Sequence, residues 1–259
     1  MILARISRAI REQNWFAVAI ELCVVAAGVV IGFGVTGWAE RQANQTRGDL
    51  YLERLVADMG ENRRRFTDAR DFRMQVREKG VEALTYANGS RQPSEPWRVA
   101  VAYFNASQAG GAEGVDATYR EMVATGDLRL LTDLNLRGRL SAYYSNSGFA
   151  RITDELPGYR EDVRAIIPLT IQSYIWENCY ESVSGRIQRL RDCDAPAIVE
   201  AELASLALRL IQDESLNGRL RYWVSTQSAA ISIHEHQITM TNDMLERLQQ
   251  ARGANGGDL

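Results

Sequence analysis

The sequence predicts an all-α protein: one N-terminal transmembrane helix that continues into a long stalk helix, followed by an antiparallel helical bundle. Three observations predict it. An apolar run of 20 residues, Phe16 to Val35, carries a single charge, Glu21; at about 1.5 Å per residue it matches a hydrocarbon core of roughly 30 Å. No proline occurs between Met1 and Gln92, and the apolar positions beyond the run recur at mostly helical spacing. Strand-like alternation is sustained nowhere, and no Asn-Gly turn lies between β-formers.

Composition narrows the class. A hydrophobic content of 46% with 24% charged residues belongs to a folded chain, so wholesale disorder is excluded. The residues after Ala39 hold 27 basic against 31 acidic side chains, a net charge of −4. That balance offers no general attraction to nucleic acid. Enough chain follows the span for one good-sized domain or two small ones.

The anchor reads in order. Residues 1–14 place Ile2, Leu3, Ile6 and Ile10 on one side of a helix with Arg5 and Arg8 away from it, a basic amphipathic segment suited to an anionic membrane surface. Trp15 and Trp38 bracket residues 15–38 and suit the two water–lipid interfaces. Arg41, Arg47 and Arg54 after the span balance Arg5, Arg8 and Arg11 before it, so arginine count alone sets no orientation. The short basic amino end and the large following domain favour a cytoplasmic N-terminus. Gly37 and Ala39 have the spacing of a signal cleavage site, but the apolar run exceeds the 7–15 residues of a signal core, so an anchor is expected. Gly28 and Gly32 form a GxxxG pair, which lets helices approach closely. Glu21 lies two turns earlier on nearly the same face; it is a helix–helix contact, a proton-handling group or, if the span starts at Leu22, a headgroup-level carboxylate.

Residues 39–250 are expected to form the soluble helical-bundle domain. Leu52, Leu55, Val56, Met59, Phe66, Val76 and Leu84 continue the first helix, and Asn88 to Glu95 is a loop carrying Pro93. Further helices are expected over Trp97 to Gln108, Val115 to Ala124 (stopped by Gly126), and from a Thr132-Asp133 cap to Ser145. Next come Ala150 to Trp176 with a kink at Pro168, Pro196 to Gln212, and a long helix capped by Ser215 and ending near Gln250. Asn178 to Ala195 reads as a loop between Cys179 and Cys193. These are either two free thiols in a reducing cytosol or a disulfide worth roughly 3 kcal/mol, which needs an oxidising compartment. Residues 251–259 read as a flexible tail.

Gln13-Asn14-Trp15-Phe16-Ala17-Val18, Ile20-Glu21-Leu22, Gly28-Val29-Val30-Ile31-Gly32 and Trp38-Ala39-Glu40-Arg41 together resemble the opening of a bacterial family of single-span proteins of unknown function. Tyr51-Leu52-Glu53-Arg54-Leu55 and the central Tyr119-Arg120-Glu121-Met122 with Thr125 to Leu130 extend the likeness; beyond Tyr144 it is thin. Where this chain has Ala39, family members often show Asn. The resemblance implies a membrane-anchored helical protein and carries no catalytic residue. With the anchor, it sets the expected address: the bacterial inner membrane, single-pass, with the C-terminal domain periplasmic.

Catalytic chemistry finds little footing. His234 and His236 flank Glu235 two residues apart, so they point to different faces and make a poor metal site. Gly110-Gly111, Gly114 and Gly126 match no phosphate-cradling fingerprint. The run Arg63-Arg64-Arg65 lies beside Glu61, Asp68 and Asp71, which can neutralise it. Glu121, Asp127 and Asp133 are the carboxylates an enzyme would use. The aromatics from Trp97 to Trp176 read as inter-helix packing, or as the lining of a ligand pocket. The expected role is therefore an envelope interaction or accessory protein, without enzymatic activity, cofactor or metal. Its partners would be the lipid bilayer and either a second copy or another membrane protein. The alternative is an extracytoplasmic ligand-sensing domain that signals through a partner.

Overall fold

The computed structural model describes residues 15–146, 156–183, 187–197 and 200–256, without the side chains of residues 15–18, 146 and 254–256. Among them are eight α-helices, one 3-10 turn and one two-stranded hairpin. The helices are α1 (Trp15–Ala87), α2 (Pro96–Ala106), α3 (Ala117–Thr125), α4 (Leu134–Asn146), α5 (Gly158–Ile166), α6 (Leu169–Asn178), α7 (Glu200–Gln212) and α8 (Glu214–Gly256). The strands β1 (Tyr180–Val183) and β2 (Ile187–Leu190) pair antiparallel. Chain contacts divide the protein between Tyr51 and Leu52 into two units. The basic segment 1–14 expected ahead of the span lies outside the described residues.

In the second unit, most buried positions of α1 fall on a seven-residue repeat. Leu52, Leu55, Met59, Asn62, Phe66, Ala69, Arg73, Val76 and Ala83 are all buried, at alternating steps of three and four that pass through Gly80. Along α8, Leu216, Leu220, Trp223, Gln227, Ala230, His234, Thr241, Met244 and Leu248 follow the same rhythm. Such a repeat keeps one stripe of each helix facing its neighbour over many turns. The two stripes meet. Phe66 stacks on His234 at 6.5 Å, Arg73 Nη1 donates to Gln227 Oε1 at 3.2 Å, and Arg77 Nε donates to Ser228 Oγ at 2.8 Å. From Phe66–His234 through Arg73–Gln227 to Gly80–Val224 the partner numbers fall on α8 as they rise on α1, so these lengths run antiparallel. Gly80 allows close approach: a Cβ there would lie 2.5 Å from Val224 Cγ2.

The main apolar core gathers around α2, which is buried on nearly every side. Trp97 and the residues from Val99 to Ala106 are all buried, so this helix is a central rod. Around it pack Ala83 and Tyr86 of α1, Tyr159 and Val163 of α5, Ile171 and Ile175 of α6, Leu206 and Leu210 of α7, and Leu220 and Trp223 of α8. A buried helix end needs partners for its last carbonyls. Tyr159 Oη donates to Tyr103 O at 2.8 Å and Trp223 Nε1 to Ala106 O at 2.8 Å.

Local stop signals act where the residues place them. Gly126 takes a left-handed φ of 74° at the end of α3, a conformation that costs glycine little. Asp133 Oδ1 accepts from the amides of Asn135 and Leu136 at the start of α4. Three expectations change. The stretch leading to Trp176 is two helices, α5 and α6, because Pro168 ends the first instead of kinking it. The cap of α8 is Asp213, whose Oδ1 accepts from Leu216 N at 2.9 Å, so the helix starts ahead of Ser215. It also runs on to Gly256, past the boundary at 250.

Candidate functional site

The first unit presents its surface openly. Its helix is long and apolar enough to cross a membrane, and that apolar stretch has no protein cover. Leu22, Phe33 and Trp38 are 69%, 76% and 64% exposed. Glu21, Gly28 and Gly32 are exposed too and share one helix face; a Cβ built at either glycine meets nothing within 4 Å. Trp15 begins the helix, and Cys23 is an exposed free thiol.

In the second unit, Cys179 and Cys193 are joined by a disulfide with Cα atoms 5.1 Å apart. It closes the segment that was expected to be loop, and inside that ring β1 and β2 form a hairpin, with Tyr180 opposite Leu190. Gln75 Oε1 of α1 accepts from Leu190 N at 2.7 Å, and Trp97 Nε1 donates to Cys193 O at 3.0 Å. The ring is thus tied to α1 and to the central rod. Beside it runs a groove of about 680 Å³ lined by Lys79, Glu82, Trp97, Arg98, Asp192, Asp194 and Glu200 among others. Glu82 accepts from Lys79 Nζ at 3.3 Å, from Arg91 Nη1 at 3.2 Å and from Arg98 Nη2 at 3.4 Å. Glu82 is therefore already answered by three cations.

A second cluster escaped sequence reasoning. Phe104, Trp176, Tyr180 and Phe72 form an edge-to-face series with centroids 5.7, 4.6 and 6.4 Å apart. The guanidinium of Arg164 lies over Phe104 and Trp176, at 5.0 and 5.3 Å. One turn earlier on α5, Arg160 Nη1 donates to Ser107 O at 2.9 Å and to Gln108 Oε1 at 3.3 Å. Arg164 Nη2 reaches the same Gln108 oxygen at 3.4 Å. Burial, then the neighbouring Arg160 charge, pushes the Arg164 guanidinium down to about 10, and burial lowers Arg160 as well. The only signal in the sequence was two arginines four apart.

The other nominated groups are occupied or apart. Arg54 Nη1 donates to Glu121 Oε1 at 3.1 Å, Asp133 caps α4, and Asp127 opens the 3-10 turn. Arg64 and Arg65 both pair with Glu61. His234 is buried with Nδ1 2.9 Å from Gln237 Oε1, whereas His236 is exposed. Among the described residues no three His, Cys, Asp or Glu side chains are grouped to hold a metal.

Comparison with known proteins adds no assignment: no family model, no curated protein and no solved structure matches the chain.

Proposed function

We propose that this protein is an interaction or accessory protein of the bacterial inner membrane, anchored by residues 15–38 of α1 and working through its helical second unit. The observation that carries the reading is the uncovered apolar surface from Ile20 to Trp38. Exposing it to water costs about 25 cal/mol per Å², a penalty that lipid removes. The N-terminus lies in the cytoplasm and the second unit in the periplasm. The disulfide supports that orientation, since such bonds persist in oxidising compartments. The open Gly28/Gly32 face supports a helical partner in the membrane, either a second copy or another protein. The resemblance of the opening residues supports the bacterial address. The role involves neither catalysis nor a cofactor.

The test is purification of the intact tagged protein from native membranes in mild detergent, with mass spectrometry of co-purifying chains. A stoichiometric partner, or a homo-oligomer that survives dilution, is the expected result. Monomer alone, from membranes extracted without denaturation, overturns the interaction role.

The groove of about 680 Å³ beside the disulfide favours a second reading, a ligand-sensing domain that signals through a partner. A thermal-shift screen of the full-length protein that finds no stabilising small molecule removes it.

A further inference from the structure

Most cations of the second unit that carry an ion pair do so at the surface, as Arg54 does with Glu121, Arg120 with Asp116 and Arg219 with Asp162. Arg160 and Arg164 differ. They lie one turn apart on α5, both half-buried, and among the described residues neither pairs with a carboxylate. Like charges at this spacing repel on a helix, and burial strengthens the repulsion. The protein supplies only partial compensation. The C-terminal end of α2, met through the Ser107 carbonyl, offers about half a negative charge. Gln108, 2% exposed, gives its one acceptor oxygen to both guanidiniums, which leaves its buried Nε2 without an acceptor. Stacking on Phe104 and Trp176 fixes the plane of Arg164 and adds no counter-ion. Among the described residues more than one positive charge is left over. Arg160 Nε and Nη2 and Arg164 Nη1 make no hydrogen bond among the described residues, and Arg164 Nε is buried without a partner.

We propose that Arg160 and Arg164 bind a phosphate group, either as inorganic phosphate or as a terminal monoester. A phosphate carries about −1.5 to −2 at pH 7 and presents three oxygens to the guanidinium donors that are left, Arg160 Nε and Nη2 and Arg164 Nη1. A carboxylate brings one charge and would leave an excess. This inference stands apart from the interaction role, and its chemistry is the same on either side of a membrane.

The experiment uses the intact protein in detergent and phosphate-free buffer, with inorganic phosphate, glycerol 3-phosphate and acetate as probes. Calorimetric titration reads the affinity and thermal unfolding reads the stabilisation. At a hundred times its Kd, a phosphate probe is expected to raise the Tm by about 5–10 °C. Arg160→Gln and Arg164→Gln should each weaken binding at least about tenfold, the loss of one charge-assisted contact. Arg164→Lys, which keeps the charge over the rings, should retain part of the affinity and decides the matter if Arg164→Gln proves misfolded by circular dichroism. Preference for inorganic phosphate identifies a free-phosphate site, and preference for glycerol 3-phosphate a monoester site; both uphold the proposal. Binding by neither probe, equal stabilisation by acetate, or affinity unchanged in the variants overturns it.

Discussion

At the scale of single residues, the seam between α1 and α8 makes opposite demands on two glycines of one helix. At Gly80 a Cβ would meet Val224 Cγ2 at 2.5 Å, and valine is stiff about χ1. At Gly60 a Cβ would meet nothing within 4 Å. Replacing a mid-helix glycine by alanine gains about 1 kcal/mol of helix propensity, whereas overpacking a fitted seam costs about 1–3 kcal/mol. Gly60→Ala should therefore stabilise the protein by up to about 1 kcal/mol and Gly80→Ala should destabilise it, both read from urea midpoints; the same sign at both positions would refute the close approach. Buried tyrosines set the alkaline limit. Tyr103, Tyr143 and Tyr159 have phenols raised above 10, in each case chiefly by burial. The unfolded chain releases these protons near pH 10 while the folded chain keeps them, so their contribution is whole below pH 10 and falls as pH rises above it. Each contributes a slope of up to about 1.4 kcal/mol per pH unit. Arg164, lowered to about 10, acts in the opposite sense and is outnumbered. Tyr159→Phe should flatten the decline in urea midpoint between pH 9 and 11; an unchanged slope would assign the alkaline limit elsewhere.

At the scale of elements, the disulfide and the hairpin it encloses behave as one device. Cys179 and Cys193 are 14 residues apart, and closing a loop of this size removes roughly 3 kcal/mol of unfolded-state entropy in the chain model. Four residues per strand are marginal on their own. They are held by the ring and by Gln75 and Trp97 on either side. Cys179→Ser with Cys193→Ser should cost about 2–4 kcal/mol in global stability. It should also speed amide exchange at Leu190 more than at Val101 in the central rod; uniform exchange would make the ring a part of the global core instead. This device explains what was hard to read. The cysteines marked the segment, but Tyr180–Val183 and Ile187–Leu190 are too short for a period of two to stand out. Two boundary signals were legible because each acts locally, Gly126 by its φ and Asp133 by its carboxylate, whereas Pro168 read as a kink and ends the helix instead. The central position of α2 was not, since a short apolar helix looks alike whether one face or all of it is covered. The arginine pair was hidden for the same reason. Arginines four apart resemble a solvated face until tertiary structure carries them to Ser107 and Gln108.

At the scale of the whole molecule, the proposed address turns on which side of a bilayer the second unit occupies, and the three cysteines can report it. Cys23 is a free thiol in the apolar part of α1, while Cys179 is fully buried and bonded to Cys193. In a reducing cytosol the pair would be held as thiols, whereas in the periplasm it would stay oxidised. Cells expressing the protein are quenched in acid to trap thiols as they stand, then denatured and treated with a maleimide of large mass. The periplasmic orientation predicts at most one addition without reductant, at Cys23, and three after reduction. A Cys23→Ser variant should then show none and two, which separates the span thiol from the pair. Three additions before reduction would put the second unit in the cytoplasm and reverse the proposed topology. That result would leave the helix, the Gly28/Gly32 face and the phosphate inference standing, because none of them depends on the side of the membrane. It would move the search for a partner from envelope proteins to cytoplasmic ones, and make the Cys179–Cys193 bond a feature that forms only on exposure to oxidant.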